Sequence, residues 1–387
     1  MTQVTGDWLT APGTQAVMGM LEDAGYQAHA VGGCVRNALL GAPVADVDIS
    51  TDARPETVIA LARAAGLKPV PTGIDHGTVT VVARGEPFEV TTYRADVETD
   101  GRRAVVRFAD TMAEDAVRRD FTMNALYADR RGTVVDPLGG LPDLRARHLR
   151  FIQDAAQRIR EDYLRTLRYF RFHAWYGDPA QGMDAEALAA IADNLDGLDR
   201  LSAERVGAEL LKLLAAPDPV QAVAVMAQTG VLPRILPGAS PRALGPLLMA
   251  EEALDLAPEP LRRLAATGFA DGAALRLSKP DQKRLTLLRE LTEGTAGLPE
   301  VAWRHGAATA SDTAALRAAI LEQPVDPAAL PDLAKAAQAR FPVTAQDLMP
   351  ALSGKALGDR LRALEAQWIA SGFALSREDL LKTPPEA

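Results

Sequence analysis

The run Asp-Val-Asp-Ile-Ser at 46–50 constrains the fold of this chain more than any other stretch. Alternate residues of a β-strand share a face, so Asp46 and Asp48 would project together while Val47 and Ile49 point into a core. Two adjacent carboxylates repel each other, and a fold tolerates them at low cost only where a cation lies between them. Hard oxygen ligands of this kind suit Mg²⁺, which keeps several waters and shares its shell with substrate phosphates. An isolated Asp-x-Asp run more often belongs to a solvated edge strand. The neighbouring residues therefore have to distinguish a metal site from such a strand.

The composition is that of an ordinary globular protein, with 48% apolar and 24% charged residues. A length of 387 residues predicts two or three domains. The single cysteine, Cys34, excludes a disulfide framework and a cysteine-rich zinc site, and it fits a reducing compartment. The N-terminus lacks a signal-peptide layout, and no apolar stretch reaches membrane-spanning length. We therefore expect a cytoplasmic protein without a membrane partner, and no feature of the sequence identifies a protein partner.

The charge is distributed unevenly along the chain. The net charge is −9, yet residues 101–172 contain 15 arginines and only 10 acidic residues. Such asymmetry is expected where one region binds polyanions. A bias of base composition toward arginine would explain the preference for Arg over Lys, but it does not explain the clustering.

The pattern of elements changes near residue 150. Before it, the sequence predicts a small mixed α/β domain, with strands at 28–31, 46–50, 78–82 and 88–92 and helices at 14–25, 36–40 and 55–65. From about residue 154 onward it predicts helix after helix, interrupted by Pro and Gly breaks. The predicted layout is a catalytic α/β part followed by an all-helical part.

A third carboxylate and a glycine pair accompany the Asp-x-Asp run. The strand 88–92 places Glu89 on its polar face, and pairing beside the first strand would bring Glu89 to the two aspartates. Three carboxylates are the usual provision for two divalent metals. The turn Gly32-Gly33 lets backbone N–H groups approach phosphate oxygens at a helix start, and Arg36 can donate to a phosphate in a planar fork. Taken alone, Glu89 would be a solvated residue and the glycine pair weak evidence.

Two arginine-rich blocks follow. In the block 114–126 we expect Arg119 to meet phosphates and Asp120 or Asn124 to meet a sugar hydroxyl, although an ion-pair cluster at a helix start competes with that interpretation. In the block 160–171, Asp162 and Arg165 would be i, i+3 neighbours on one helix, and Arg168 and Arg171 continue the same step. A solvated salt-bridged face is the ordinary explanation of such a run.

The functional interpretation of the second block depends on base chemistry. Cytosine and adenine each show an amino donor beside a ring-nitrogen acceptor, so a carboxylate can accept from the first and a guanidinium can donate to the second. Uracil and guanine show a carbonyl beside a ring N–H, and a mismatched buried hydrogen-bonding group costs about 1–3 kcal/mol. One Asp–Arg pair could therefore select C and A.

Together these blocks resemble the class II tRNA nucleotidyltransferase (CCA-adding enzyme) and bacterial poly(A) polymerase family. The resemblance is carried by six ordered motifs: Gly-Gly-x-Val-Arg (32–36), Leu-Leu-Gly (39–41), Asp-x-Asp-Ile-x-Thr (46–51), Arg-Arg-Asp-Phe-Thr-x-Asn-Ala (118–125), Asp-Pro-x-Gly-Gly (136–140) and Glu-Asp-x-x-Arg (161–165). Arg205-x-x-x-Glu209-x-x-Lys212 looks like a later helical motif of the family. Six ordered blocks make coincidence improbable.

The resemblance implies a template-independent enzyme that adds CCA to tRNA 3′ ends from CTP and ATP. It implies a nucleotidyltransferase head (1–150), a helical neck with the base-reading helix (151–240), and a helical body and tail that bind tRNA (241–387). The implied roles are as follows: Asp46 and Asp48 for catalytic Mg²⁺, with Glu89 as a supporting carboxylate; Gly32, Gly33, Arg36 and Arg119 for the nucleotide; Asp162 and Arg165 for the base; Arg168 and Arg171 for the triphosphate. Asn37 departs from the aspartate usual in the family, and Ala104 from a common proline.

Alternatives stay open at this point. A poly(A) polymerase shares the fold, but residues 71–78 resemble the CCA-adding version. Enzymes that add only CC or only A share the motifs. A non-catalytic RNA-binding relative is a further alternative, against which the intact Asp46, Asp48 and Arg119 argue.

Overall fold

A computed structural model describes residues 2–100 and 103–382. Gly101 and Arg102, which begin the basic segment, lie outside the described residues. The chain forms two compact units, Met1–Ile235 and Leu236–Ala387. No helix within the described ranges is long and apolar enough to cross a membrane.

The first unit contains all nine described strands. They are β1 (Ala28–Val31), β2 (Asp48–Thr51), β3 (Lys68–Gly73), β4 (Thr78–Ala83), β5 (Glu86–Thr92), β6 (Arg94–Asp100), β7 (Arg103–Phe108), β8 (Tyr127–Ala128) and β9 (Val134–Val135). Seven of them form one sheet in the order β3-β4-β5-β2-β1-β8-β9, and β6 pairs with β7 in a separate hairpin that contains Ala104. The mixed α/β class predicted for this part of the chain is confirmed.

The centre of the sheet positions the predicted carboxylates. The strands β2 and β5 pair in parallel, and every other pairing in this sheet is antiparallel. Along β5, Phe88 and Val90 are buried and Glu89 is exposed, which is the alternation expected of a strand with one face on the core. Ile49 of β2 is fully buried in the same core. The core face thereby forces the acidic residues onto the opposite face.

Sequence patterns did not predict β3, β6, β7, β8 or β9. The strand β3 contains Pro69 and Pro71, which argue against a strand, yet β3 lies at the sheet edge, where proline is tolerated. The strands β8 and β9 have only two residues each; β8 pairs with β1 and β9 pairs with β8, so tertiary pairing rather than a local pattern defines them.

The helices of the first unit are α1 (Asp7–Thr10), α2 (Pro12–Asp23), α3 (Gly33–Leu39), α4 (Pro55–Ala64), α5 (Met112–Val117), α6 (Gly140–Ala146), α7 (Ala155–Glu161), α8 (Leu164–Tyr176), α9 (Ala185–Asp193), α10 (Ala203–Leu214), α11 (Val220–Gln228) and α12 (Val231–Ile235). Helices α2 and α4 pack on the apolar face of the sheet. Helix α8 packs against α10 and α11, so most of the block 160–171 lies beside the later helical motif at 205–212.

The described part of the second unit is helical. It comprises α13 (Leu244–Ala253), α14 (Pro260–Ala266), α15 (Lys279–Glu293), α16 (Leu298–His305), α17 (Ala307–Leu321), α18 (Leu330–Gln338), α19 (Gly354–Ala370) and α20 (Arg377–Lys382). Its interior holds charge as well as apolar side chains, because Glu251, Arg262, Arg263 and Asp312 are all buried. The all-helical prediction for this part is confirmed.

Candidate active site

Two carboxylates lie side by side on the central strands. Asp48 of β2 pairs in register with Glu89 of β5, so the adjacency expected from the polar face of β5 is present. Asp46 differs from the expectation, because β2 begins at Asp48 and Asp46 lies in the preceding loop. Strand alternation therefore does not fix the direction of the Asp46 side chain, which depends on the conformation of the loop.

The carboxylates repel one another electrostatically. The pKa of Asp48 is raised, first by desolvation in the surrounding protein and then by the negative charges of Glu89 and Asp46, while Arg119 opposes the rise. Concentrated negative charge of this kind fits a cation that binds between oxygen donors. Within residues 2–100 and 103–382, no group of three or more His, Cys, Asp and Glu side chains is arranged to hold a metal ion. The adjacent Asp48 and Glu89 carboxylates fit a divalent cation whose shell is completed by water and substrate oxygens.

The glycine turn leads directly into α3. Gly32 has φ 73° and ψ −115°, a conformation that requires glycine. A Cβ atom at Gly32 would lie 3.4 Å from Arg119 Nη1, so the turn and this arginine are close neighbours. The Gly32-Gly33 turn therefore lies beside Arg119, and Arg119 is in turn near enough to Asp48 to oppose the rise in its pKa.

Asp115 holds Arg119 in place, and the sequence analysis did not assign Asp115 a role. This fully buried carboxylate accepts hydrogen bonds from Arg118 Nε at 2.8 Å, Arg119 Nη2 at 3.0 Å and the Tyr127 hydroxyl at 2.8 Å. The two arginines lower the pKa of Asp115 against the effect of its burial. Arg119 Nη2 also lies 3.4 Å from Ser50 Oγ, between β2 and the predicted phosphate region. The spacing of Asp115 and Arg119 was the available signal, since residues four apart in a helical turn can form an ion pair.

Arg36 is buried in the protein instead of lying free at the turn. It donates to Asn124 Oδ1 at 2.6 Å, to the Tyr176 hydroxyl at 2.9 Å and to Asn37 Oδ1 at 2.9 and 3.1 Å. Its guanidinium also packs over the Tyr176 ring at 4.0 Å. The guanidinium N–H groups of Arg36 that were expected to bind a phosphate therefore bind protein groups instead. The neutral amide oxygen of Asn37 accepts the hydrogen bonds that an aspartate would accept at this position.

Asp120 is saturated with protein partners. Its Oδ1 accepts from the Phe121 N–H and from Asn124 Nδ2, both at 2.9 Å, and its Oδ2 accepts from Arg168 at 2.8 and 2.6 Å. A carboxylate has about four acceptor positions, so Asp120 has none left for a sugar hydroxyl. Asn124 keeps one amide N–H. Of the two expected sugar contacts, the geometry therefore retains Asn124 and makes Asp120 a residue that orients Arg168 and Asn124.

The Asp120 ion pair predicts a specific acid sensitivity. Arg168 and Asn124 overcome the effect of burial and lower the pKa of Asp120 to about 2. The stabilisation from ionised Asp120 is complete above the carboxyl pKa of the unfolded chain, about 4, and is lost as the pH falls toward 2. At pH 7, Asp120→Asn should therefore lower the free energy of unfolding by about 2 kcal/mol. Measured by urea unfolding, the difference in free energy of unfolding between the wild type and Asp120→Asn should be about half as large at pH 3. The exposed Asp7→Asn is the control, and a difference that does not change with pH would contradict the assignment.

The predicted base-reading pair has a different arrangement from the one expected. Asp162 and Arg165 do not share a helix, because Asp162 ends α7 and α8 begins at Leu164. Each has its own partner instead: Asp162 Oδ2 accepts from Arg205 Nη2 at 2.6 Å, and Arg165 Nη1 donates to Glu161 Oε2 at 2.6 Å. The expected i, i+3 contact is therefore replaced by two separate ion pairs, and sequence reasoning gave neither Glu161 nor Arg205 this role.

Arg165 keeps one edge free for a ligand. Its Nη1 donates to the Arg158 carbonyl and to Glu161, and its Nη2 donates to the Arg118 carbonyl at 3.0 Å. Among the described residues, Nε and the second Nη2 hydrogen have no protein acceptor. These adjacent N–H groups form the side-on fork of a guanidinium, which can donate to two acceptors of a base.

Three guanidinium groups surround one aromatic ring on α8. The centres of Arg36, Arg168 and Arg171 lie 5.1, 5.3 and 4.5 Å from the Phe172 ring. Arg171 also donates to Glu209 Oε2 at 2.6 Å. The arrangement concentrates positive charge beside the Asp120–Asn124 network, and acidic partners hold two of these arginines in place.

Comparisons with protein families match two parts of the chain. Residues 28–150 match the poly(A) polymerase head domain, and residues 182–242 match a probable RNA- and SrmB-binding site of polymerase A. The first match includes every predicted metal-binding carboxylate.

Curated relatives match across almost the whole chain. The mitochondrial CCA tRNA nucleotidyltransferase 1 of Mus musculus is 31% identical over 96% of this chain and 90% of its own length. The CCA-adding enzyme of Geobacillus stearothermophilus is 42% identical over 57% of this chain and 54% of its own.

Solved structures share the fold. The CCA-adding enzyme of Bacillus stearothermophilus in complex with CTP has a TM-score of 0.72 at 27% identity, and the alignment covers 93% of this chain and 92% of that one. The CCA-adding enzyme of Thermotoga maritima, complexed with tRNA, has a TM-score of 0.70 at 18% identity over 99% and 98% of the two chains.

Proposed function

The chain belongs to the class II tRNA nucleotidyltransferase family of CCA-adding enzymes, and we propose that its own residues carry out that family's reaction at the site described above. The protein adds C, C and A to the 3′ end of tRNA from CTP and ATP and releases pyrophosphate. The in-register pairing of Asp48 with Glu89, beside Arg119, is the observation that supports locating the reaction at this site.

Nucleotidyl transfer in this family is generally metal-dependent. We assign Mg²⁺ binding to Asp46 and Asp48, with Glu89 as a supporting carboxylate beside Asp48. When bound, Mg²⁺ lowers the pKa of the attacking hydroxyl and neutralises charge on the leaving phosphates. The protein contributes the carboxylates and Arg119, which is near enough to Asp48 to oppose the rise in its pKa and whose guanidinium is anchored by Asp115.

The nucleotide has a separate group of residues for each of its parts. The phosphates would contact the Gly32-Gly33 turn, Arg119 and the arginines of α8, Arg168 and Arg171. Asn124 would donate its remaining N–H to the sugar. This division is supported by the charge around Phe172 and by the network that joins Asn124 to Asp120 and Arg168.

The base would be read by Asp162 and Arg165. A carboxylate that accepts from an amino group and a guanidinium fork that donates to ring and carbonyl acceptors match cytosine, and the fork's ring-nitrogen contact also matches adenine. The free edge of Arg165 supports this role. In the reaction, the tRNA 3′-oxygen forms a bond to the α-phosphorus, the bond to the β-phosphate oxygen breaks, and the hydroxyl proton leaves to solvent.

The division of the chain follows from the family. We propose a nucleotidyltransferase head at 1–150, a neck at 151–240, and a body and tail at 241–387 that contact tRNA. The head match at 28–150 and the compact-unit boundary after Ile235 support these limits. A cytoplasmic location stays a prediction, and three of the curated relatives are mitochondrial.

The test uses purified protein, Mg²⁺, labelled CTP or ATP, and tRNA that ends at 0, 1 or 2 nucleotides of the CCA sequence. We expect CTP to extend the first two substrates and ATP only the third, with no activity after chelation of divalent metal. Incorporation that stops after CC, or that occurs only on the third substrate, would reduce the function to partial addition. Long A-tails on unrelated RNA would instead identify a poly(A) polymerase.

A further inference from the structure

We propose that Arg205, on α10, is a positioning residue that determines base selection by orienting the Asp162 carboxylate. This inference deepens the proposed function and depends on it, because Asp162 is a base-reading residue only if the protein transfers nucleotides.

Asp162 lies at the break between α7 and α8, where no continuous helix fixes its side chain. Its Oδ1 accepts from the Leu164 N–H at 3.1 Å, and its Oδ2 accepts from Arg205 Nη2 at 2.6 Å. The Leu164 bond is a local cap, whereas Arg205 reaches Asp162 from 43 residues further along the chain. The two donors together define the plane of the carboxylate.

The plane matters because each carboxylate oxygen accepts in defined lone-pair directions. With one position of each oxygen occupied, the remaining positions fix where a base amino group can donate. Without Arg205, only the weaker Leu164 bond would restrain rotation of the Asp162 side chain. Arg205 also offsets the carboxylate charge, which would otherwise oppose the approach of a triphosphate.

The two residues of the predicted base-reading pair, Asp162 and Arg165, are held in place by different partners. Arg165 is held by Glu161 and by main-chain carbonyls, without Arg205. Loss of Arg205 should therefore disturb the amino-group contact and leave the guanidinium fork in place. A simple role in joining α10 to the α7–α8 junction would lower stability without changing the choice of base.

The experiment compares Arg205→Ala and Arg205→Lys with the wild-type protein. We measure kcat/KM for CTP and UTP on tRNA that lacks CCA, and for ATP and GTP on tRNA that ends in CC. We expect the preference for the correct nucleotide to fall about tenfold in Arg205→Ala, with a raised KM for the correct nucleotide, and to fall less in Arg205→Lys. Arg200→Ala is the matched control, since Arg200 lies over the adjacent Tyr163 ring and should leave the preference unchanged.

A double-mutant cycle separates positioning from general structural support. In an Asp162→Ala background, Arg205→Ala should cause no further loss of discrimination, since the carboxylate it orients is gone. An equal loss in both backgrounds, or an unchanged preference in a folded Arg205→Ala protein, would overturn the inference. If Arg205→Ala does not fold, full discrimination by Arg205→Gln, which removes the charge and the fork, would overturn it. A wild-type protein that adds neither C nor A would instead refute the proposed function.

Discussion

Asp48→Asn is expected to reduce nucleotidyl transfer by about 10³-fold or more without unfolding the protein. Asparagine has nearly the same shape but cannot supply the negative charge that a divalent cation needs. Loss of a metal-binding carboxylate removes several kcal/mol of transition-state stabilisation, and each 1.36 kcal/mol corresponds to a factor of ten in rate. The measurement is single-turnover incorporation of CTP into tRNA that lacks CCA.

The same change should leave the protein as stable as the wild type or make it more stable. The pKa of Asp48 is raised in the folded state, so its ionisation at neutral pH disfavours folding. Binding of tRNA should be largely unaffected, because the site loses charge but no contact surface. Asp52→Asn makes the same chemical change just beyond β2, where Asp52 accepts from the Gln27 N–H, and it should keep full activity. Transfer at the wild-type rate by Asp48→Asn would show that the carboxylate assignment is wrong.

Glu251→Gln should destabilise the second unit by about 3 kcal/mol. Glu251 is buried and accepts from Arg262 Nε at 2.9 Å and from Arg263 Nη2 at 2.8 Å. Both arginines are also buried, and Asp312 pairs with Arg262 at 2.6 Å and with Arg284. Loss of the Glu251 charge would remove the carboxylate that buried Arg262 and Arg263 share in a medium of low polarity, which is costly.

Thermal unfolding provides the measurement. At roughly 2–4 °C per kcal/mol for a unit of this size, the unfolding transition of the second unit should fall by about 10 °C. Glu252→Gln changes the next residue, which is exposed, and should leave the transition within about 1 °C of the wild type. Equal transitions for both variants would mean that the buried charges do not stabilise this unit.

The central carboxylates were predictable because strand alternation leaves few choices. Once Ile49 and Val90 face the core, Asp48 and Glu89 must face the other way, and only the pairing of their strands remained unknown. The break at Asp162 was harder to predict. The run 160–171 contains no proline or glycine, so its sequence favours one continuous helix over the two that form.

The ion-pair partners could not be predicted from local sequence. Arg205 pairs with Asp162 across 43 residues, Arg168 with Asp120 across 48, and Arg36 with Tyr176 across 140. Each contact depends on how helices pack, and any exposed carboxylate would have satisfied the same arginine equally well. The burial of Arg36 likewise depends on α8 covering it, which no pattern near residue 36 reveals.

The most direct measurement of the central claim is to sequence the 3′ ends of tRNA that lacks CCA after incubation with this protein, Mg²⁺ and all four nucleoside triphosphates. The account predicts that the added sequence is C, C, A and then stops, in the presence of competing UTP and GTP, because the protein itself selects the base. Ends that contain U or G at frequencies comparable to C and A, or that extend as A-tails, would contradict it.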